Sequence, residues 1–436
     1  MRPVLRLAVL WSLTTAIARA DVAPAELDAA VAALEPRVIE WRRDFHSHPE
    51  LGNREFRTSG KVTDHLRSLG LDVRTGIAHT GVVALLRGAR PGPTIMLRAD
   101  MDALPVTERT DVPFRSSVMA EFRGRPVGVM HACGHDAHTA ILMGAAEVLA
   151  GLRDRLPGTV MFVFQPAEEG APPGEQAGAP LMVQEGLFEI AKPDAIIGLH
   201  VGSSMHTGTV GLRPGPMMAG SDFFRIAVTG RQSHGSRPWT GIDPIVTAAQ
   251  IVNSLQAIVS RQTDITALPA VVSIGAINGG VRHNIIPGSV EMLGTMRTFN
   301  SAMRQDTIDR IQRIVEHVAA ANGASATFEL DPAPNAPVDN DPVLTQRVTA
   351  SLRAALGDDS VKAIGLQTVA DDFSYYARQA PSVYYWVGIT PPGQDLRTAP
   401  DNHSDQFYVD ENGIVVGLKS MLHVTVDYLQ GAGSAR

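Results

Sequence analysis

The run Met130-His131-Ala132-Cys133-Gly134-His135-Asp136-Ala137-His138 sets six residues able to bind a metal or move a proton within nine positions. Cys133 is the only cysteine of the chain. A thiolate and an imidazole two residues apart can face one ion when the backbone turns sharply between them, and Gly134 permits that turn. A lone cysteine otherwise serves as a small buried apolar side chain. The density of donors around Cys133 points instead to half of a metal site.

A second set follows an apolar strand pattern, Gly158–Phe164, which runs directly into Gln165-Pro166-Ala167-Glu168-Glu169-Gly170. Consecutive side chains leaving a strand diverge, so one carboxylate can bind metal while its neighbour addresses a water. His200 ends another apolar strand, and His403 stands in Asp401-Asn402-His403-Ser404-Asp405. Added to Cys133, His135 and Glu169, they complete five side chains suited to two ions that share a water. Asp102 and Asp136 can orient imidazoles from behind, or can be strand-end and helix N-cap carboxylates; spacing leaves both open. His46-Ser47-His48 has the His-x-His of barrel-type amidohydrolases, but it closes a helical pattern and precedes Pro49, so it reads as structural or peripheral. A third set comprises Ser233-His234-Gly235, Asn284-Ile285-Ile286-Pro287 and Arg297. These can reach a substrate, or can be a hairpin turn and surface charge.

The elements that must position these groups alternate. Helical periodicity covers 26–45, 58–69 and about Ala137–Leu152; buried strand patterns cover Val82–Arg87, Thr94–Leu97, Gly158–Phe164 and Asp194–Leu199. Alternation of this kind implies an α/β fold with a mostly parallel central sheet flanked by helices, and functional residues at strand C-terminal ends. Asp100, Asp102, Glu168, Glu169 and His200 fall at such ends. The middle differs: strands at Phe223–Thr229, Val271–Ile277, Val290–Phe299 and Ala326–Leu330 interleave with helices at Pro244–Ser260 and Ala302–Asn322. That β-α-β-β-α-β order is the ferredoxin-like split unit. We expect a lid or dimerisation domain at 220–332, inserted into a metal-binding catalytic domain of 21–219 and 333–436.

Residues 1–20 read as a signal peptide, with Arg2 and Arg6, an apolar run and a small-x-small cleavage site at Ala18-Arg19-Ala20. That run is shorter than the roughly 20 residues a bilayer requires. The expectation is an exported protein, periplasmic or secreted, with no stable membrane span after cleavage. Cleavage removes three arginines and no acid, moving the formal charge from -7 to -10. An acidic protein without basic runs is a poor nucleic-acid binder. One cysteine cannot make an internal disulfide, so stability rests on core burial, and 436 residues with 44% hydrophobic content suffice for two domains.

Taken together, these motifs resemble the co-catalytic metallopeptidases and amidohydrolases that include aminoacylases, hippurate hydrolases, auxin-conjugate hydrolases and certain carboxypeptidases. The resemblance spans nearly the whole mature chain. It also includes Arg42-Arg43-Asp44-Phe45-His46-Ser47-His48-Pro49-Glu50-Leu51 and Arg98-Ala99-Asp100-Met101-Asp102-Ala103-Leu104-Pro105. It implies Cys133, His135, Glu169, His200 and His403 as ligands of two divalent ions, zinc or manganese, with the thiolate favouring zinc. It implies Glu168 as general base and acid. His234, often from a partner subunit of a homodimer or higher homo-oligomer, would polarise the scissile carbonyl, and Asn284 and Arg297 would hold the substrate carboxylate. The cysteine places the chain in the branch resembling N-acyl-amino-acid hydrolases. The expected activity is hydrolysis of N-acyl amino acids, aromatic-acyl ones included; carboxypeptidase action on short peptides, or a non-catalytic metal- or solute-binding role, are the rivals. Departures are Asp371-Asp372-Phe373, where relatives usually have Glu-Asp, Asp405, where many have Pro, and the insertion Gly170–Gln176 beside the site.

Overall fold

The computed structural model describes residues 21–331 and 335–431; the presumed signal segment lies outside the described residues. The apolar runs stack into an eight-stranded sheet. Its order is Asp72–Ile77, Gly81–Arg87, Pro157–Gln165, Arg90–Asp100, Ala195–His206, Ser382–Thr390, Val210–Leu212, Val361–Ala363. The four central strands, Pro157–Gln165 through Ser382–Thr390, run parallel, with antiparallel pairings on either side.

Strand side chains alternate between faces, and both faces here are covered. Ile95, Leu97, Phe162, Ile197 and Leu199 pack on one side against helices Pro24–Ser47, His135–Gly151 and Glu411–Gly431. Met96, Met161, Val163 and Ile196 pack on the other with Met182, Phe373 and Tyr384. Two-sided cover explains why the central strands read as continuous apolar runs. Among the described residues, no helix is long and apolar enough to cross a membrane.

A separate antiparallel sheet is built from Gly220–Thr229, Val271–Asn278, Ser289–Thr298 and Ser325–Leu330. Helices Pro244–Ala257 and Ser301–Ala321 bury Ile251, Leu255, Ile311 and Val315 against Ile226, Val228, Met292 and Met296. Each helix starts at a side-chain cap, Asp243 accepting from Ile245 N and Asn300 from Met303 N, both at 2.8 Å. The opposite face of this sheet is open, with Phe223 and Leu293 exposed.

Two sequence expectations need correction. His200 does not end its strand, which continues through it to His206. The central strand Ser382–Thr390 and the small hairpin Met119–Gly128 escape the periodicity reading. The first pairs in parallel with Ala195–His206.

Candidate metal centre and active site

Gly134 adopts φ 99, and a Cβ there would meet Val201 Cγ2 at 2.2 Å. Only glycine suits this position, and its turn brings Cys133 and His135 to one side. His135 opens its helix, and its Nδ1 lies 2.9 Å from the Asp102 carbonyl and 3.2 Å from Asp102 Oδ1. That leaves Nε2 buried and without a hydrogen-bond partner among the described residues. His200 Nδ1 donates to the Val201 carbonyl at 2.8 Å, which turns Nε2 to within 3.4 Å of Cys133 Sγ.

The glutamate pair is held by its backbone. Asp102 accepts from Glu168 N at 3.1 Å and from Glu169 N at 2.9 Å. Glu55 accepts the preceding amide, Ala167 N, at 2.8 Å, where the chain passes through φ 50. His403, also left-handed at φ 72, places Nε2 3.0 Å from Glu169 Oε1. Its loop is clamped by Asn402 Nδ2, which donates to the carbonyls of Cys133 and Val201 at 3.0 and 3.2 Å.

All five expected ligands therefore converge. Donor atoms of Cys133, His135 and His200 lie within 4.8 Å of one another, as do those of Cys133, Glu169 and His403, and of His135, Glu168 and Glu169. Asp100, His135 and His138 form a further such group. However, His138 Nδ1 is taken by Asp100 at 2.6 Å and its Nε2 accepts from Val201 N at 2.9 Å. His138 has no nitrogen to offer an ion; His135 and His200 do.

The charges call for cations. Burial, then Asp371, Glu169 and Asp372, pushes the Glu168 carboxyl well above its usual range. Burial and the Glu169 and Glu168 carboxylates do the same to the Cys133 thiol. His135 is pushed up to about 10: burial opposes its charge, but Asp100, Asp102 and Glu169 outweigh it. Acids packed against a thiol, facing an imidazole nitrogen that makes no hydrogen bond among the described residues, are the donor set a divalent ion satisfies.

Other residues fall differently. Asp136 is not an N-cap and orients none of the converging imidazoles; it pairs with Arg42 Nε at 2.9 Å and His46 Nδ1 at 2.8 Å. His46 is buried in that network with Glu108, a structural position as its context suggested. His131 is buried, and burial pushes its pKa down to about 3. Asp371, Asp372, Asp100 and Glu55 carry weight that sequence reading did not assign. Arg98 binds Asp100 at 2.6 Å, Asp371 at 3.1 Å and Asp372 at 3.0 Å. The nearest signal was Asp100 at a strand end.

The third set splits. His234 pairs with Ile285, and Gly235 N donates to the Asn284 carbonyl at 2.8 Å, so these two motifs meet. His234 is exposed, and its Nδ1 accepts from Ser236 N at 3.0 Å. Arg297 pairs with Ser221 at the opposite end of the ladder from Ser289 and Thr229. Eight residues of strand separate the ends by about 25 Å. A single clamp made by Asn284 and Arg297 of the same chain is therefore not what this register gives. Arg297 lies at the end where the small sheet joins the large unit, beside Phe223 at 5.9 Å to its ring.

A parallel α/β sheet whose strand ends and loops gather thiol, imidazole and carboxylate donors around paired glutamates is the framework of a metal-dependent hydrolase. Residues 96–426 match Peptidase family M20/M25/M40, and the chain belongs to that family. It is 37% identical over 391 residues to thermostable carboxypeptidase 1 of Saccharolobus solfataricus, covering 89% of this chain and 94% of the relative. It is 36% identical over 387 residues to N-acetyl-L-cysteine deacetylase of Bacillus subtilis, covering 88% and 86%. The Bacillus subtilis YXEP protein, described as a dinuclear metal binding peptidase from the M20 family, is similar in structure with a TM-score of 0.77 at 34% identity; the match covers 92% of this chain and 99% of that one.

Proposed function

We propose that this enzyme hydrolyses the amide bond of N-acyl amino acids, aromatic-acyl ones included. The observation that carries the reading is the convergence of Cys133, His135, Glu169, His200 and His403, with Glu168 one residue from Glu169. Those five side chains would hold two divalent cations, zinc or manganese, the thiolate favouring zinc. When bound, the cations would supply Lewis acidity and lower the pKa of a water at the site.

Glu168 takes the proton of the attacking water on its carboxylate and passes it to the departing amine nitrogen. His234 assists at the carbonyl. Because its Nδ1 accepts from Ser236 N, the proton of the neutral ring sits on Nε2, which can donate to the developing oxyanion. Arg297 presents a planar fork for the substrate carboxylate. With Arg297 at one end of the Gly220–Thr229 ladder and His234 in the two-stranded piece that follows its Thr229/Ser289 end, a site using both draws His234, and Asn284 with it, from a second copy of the chain. We therefore propose a homodimer or higher homo-oligomer. The charge and apolar pattern of residues 1–20 supports export to a periplasmic or extracellular space.

The likeness to a carboxypeptidase supports a second reading, cleavage of short peptides by the same groups. A panel of N-acyl amino acids and dipeptides, assayed with metal-reconstituted protein, tests both. Faster turnover of the acylated substrates is expected; equal or faster turnover of plain dipeptides would overturn the first reading in favour of the second.

A further inference from the structure

The loop that carries Glu169 also forms one wall of a groove that the metal-centre residues do not explain. The groove has a volume of about 540 Å³, and Glu169 and Gly170 are among the residues that line it. Its floor is Leu51, Gly52, Leu104 and Pro105, and its facing walls are Phe122 and Pro172. Both walls are built segments. The insertion after Gly170 is tied at its far end by Glu175, which accepts from Arg54 at 2.6 and 3.0 Å and from Asn53 Nδ2 at 3.1 Å. Pro172 and Pro173 stiffen the stretch between the tie and Glu169. At its root, Gly52 packs so closely that a Cβ there would meet the Gly170 carbonyl at 2.2 Å. The other wall is the hairpin Met119–Gly128, whose strands pair antiparallel from Met119↔Gly128 to Phe122↔Arg125. Arg123 and Gly124 take φ 51 and φ 75, the two left-handed positions of a tight two-residue turn. Its base is fixed by Ser116 Oγ donating to the Val129 carbonyl at 2.7 Å.

We infer that this groove is the acyl subsite: it takes the acyl group of the substrate, aryl or medium-length aliphatic, with Phe122 as the selecting wall. The inference rests on the functional reading above. A scissile carbonyl beside Glu168 and Glu169 has two substituents, and Glu169 is itself part of the groove's lining. Its floor is uncharged. Of the ionic groups along it, Arg54 is already engaged by Glu175, and Glu121 and Arg123 are exposed. A free carboxylate gains nothing from such a floor, whereas an aromatic or aliphatic group loses contact with water there. The volume lies within the range of small-molecule pockets and leaves ample room for a single aryl ring.

The test compares wild type, Phe122→Ala and Glu175→Ala on two series. One holds the amino acid fixed and varies the acyl group from acetyl through hexanoyl to benzoyl; the other holds the acyl group and varies the amino acid. In Phe122→Ala, the benzoyl-to-acetyl ratio of kcat/KM should fall by roughly tenfold or more, with the ranking of amino acids unmoved. Glu175→Ala should free the second wall and pull the same ratio toward one, without loss of thermal stability, since the pair it breaks is at the surface. A ratio unchanged in Phe122→Ala, or an amino-acid ranking that moves instead, overturns the subsite while wild-type activity on the series upholds the functional reading. A wild type that cleaves dipeptides and none of the acylated series overturns that reading and the acyl subsite with it.

Discussion

Asp102 does three jobs with one carboxylate: it fixes the His135 ring and accepts two successive amides, those of Glu168 and Glu169. Such outer partners typically account for about 10–100-fold in metal affinity or activity. Asp102→Ala should therefore weaken metal binding by about that factor, and titration of the protein with zinc followed by calorimetry would measure it. Unchanged affinity would mean that His135 keeps its tautomer and orientation without Asp102. The grouping of Cys133 with His135, and of Glu168 with Glu169, was legible at this level because each pair lies within three residues of sequence. Their supports were not. Glu55, Asp371 and Asp372 come from distant segments, and nothing in their local spacing predicts that they meet Ala167 and Glu168.

The elements explain why that constellation holds its shape. The helix Pro24–Ser47 is locked to the helix His135–Gly151 by Asp136, which meets Arg42 and His46 with all three side chains buried. Burial opposes the charge of Asp136, but Arg42 and His46 outweigh it and hold its pKa well below the usual range. A depressed carboxylate contributes stability that is fully present above its unfolded pKa, near 4, and is lost as pH falls below that. Asp136→Asn should cost about 3–5 kcal/mol by leaving the buried Arg42 with only Glu411, at 3.8 Å, as an acidic partner, and should flatten the acid limb of a stability-versus-pH curve. Loss of stability equal at pH 3 and pH 7 would count against that pair as its source. Gly134→Ala should be as damaging, through φ 99 and the approach of Val201. The alternating helices and strands were readable because two-sided burial imprints a strong pattern. Ser382–Thr390 carries the same two-sided burial and went unread all the same; its place in the sheet is set by pairing with Ala195–His206, some 180 residues earlier in the chain.

The two sheets together set what one chain can do alone. The unit built on the large sheet supplies the converging donors; the small sheet supplies Arg297 at one end, and the two-stranded piece beyond its other end supplies His234 and Asn284. If a second copy completes the site, mixing His234→Ala with Glu168→Gln protein under conditions that exchange subunits should restore activity up to about a quarter of wild type, as one intact site in a mixed dimer allows. No recovery despite verified exchange would leave His234 acting within its own chain. Arg297→Ala should slow hydrolysis of N-acyl amino acids by roughly 10²-fold while barely touching their amides, which lack the charge that the guanidinium meets. Equal loss on both would remove Arg297 from carboxylate recognition.

The most direct measurement separates the adjacent glutamates. Glu168→Gln and Glu169→Gln are each purified without chelator, then assayed for metal content and for turnover of an N-acyl amino acid. Glu168→Gln should keep near wild-type metal while losing about 10²–10⁴-fold in rate, the usual cost of a missing general base. Glu169→Gln should lose metal, because its carboxylate sits 3.0 Å from His403 and within the Cys133 group. Metal lost from Glu168→Gln and retained by Glu169→Gln would contradict the assignment and exchange the two roles.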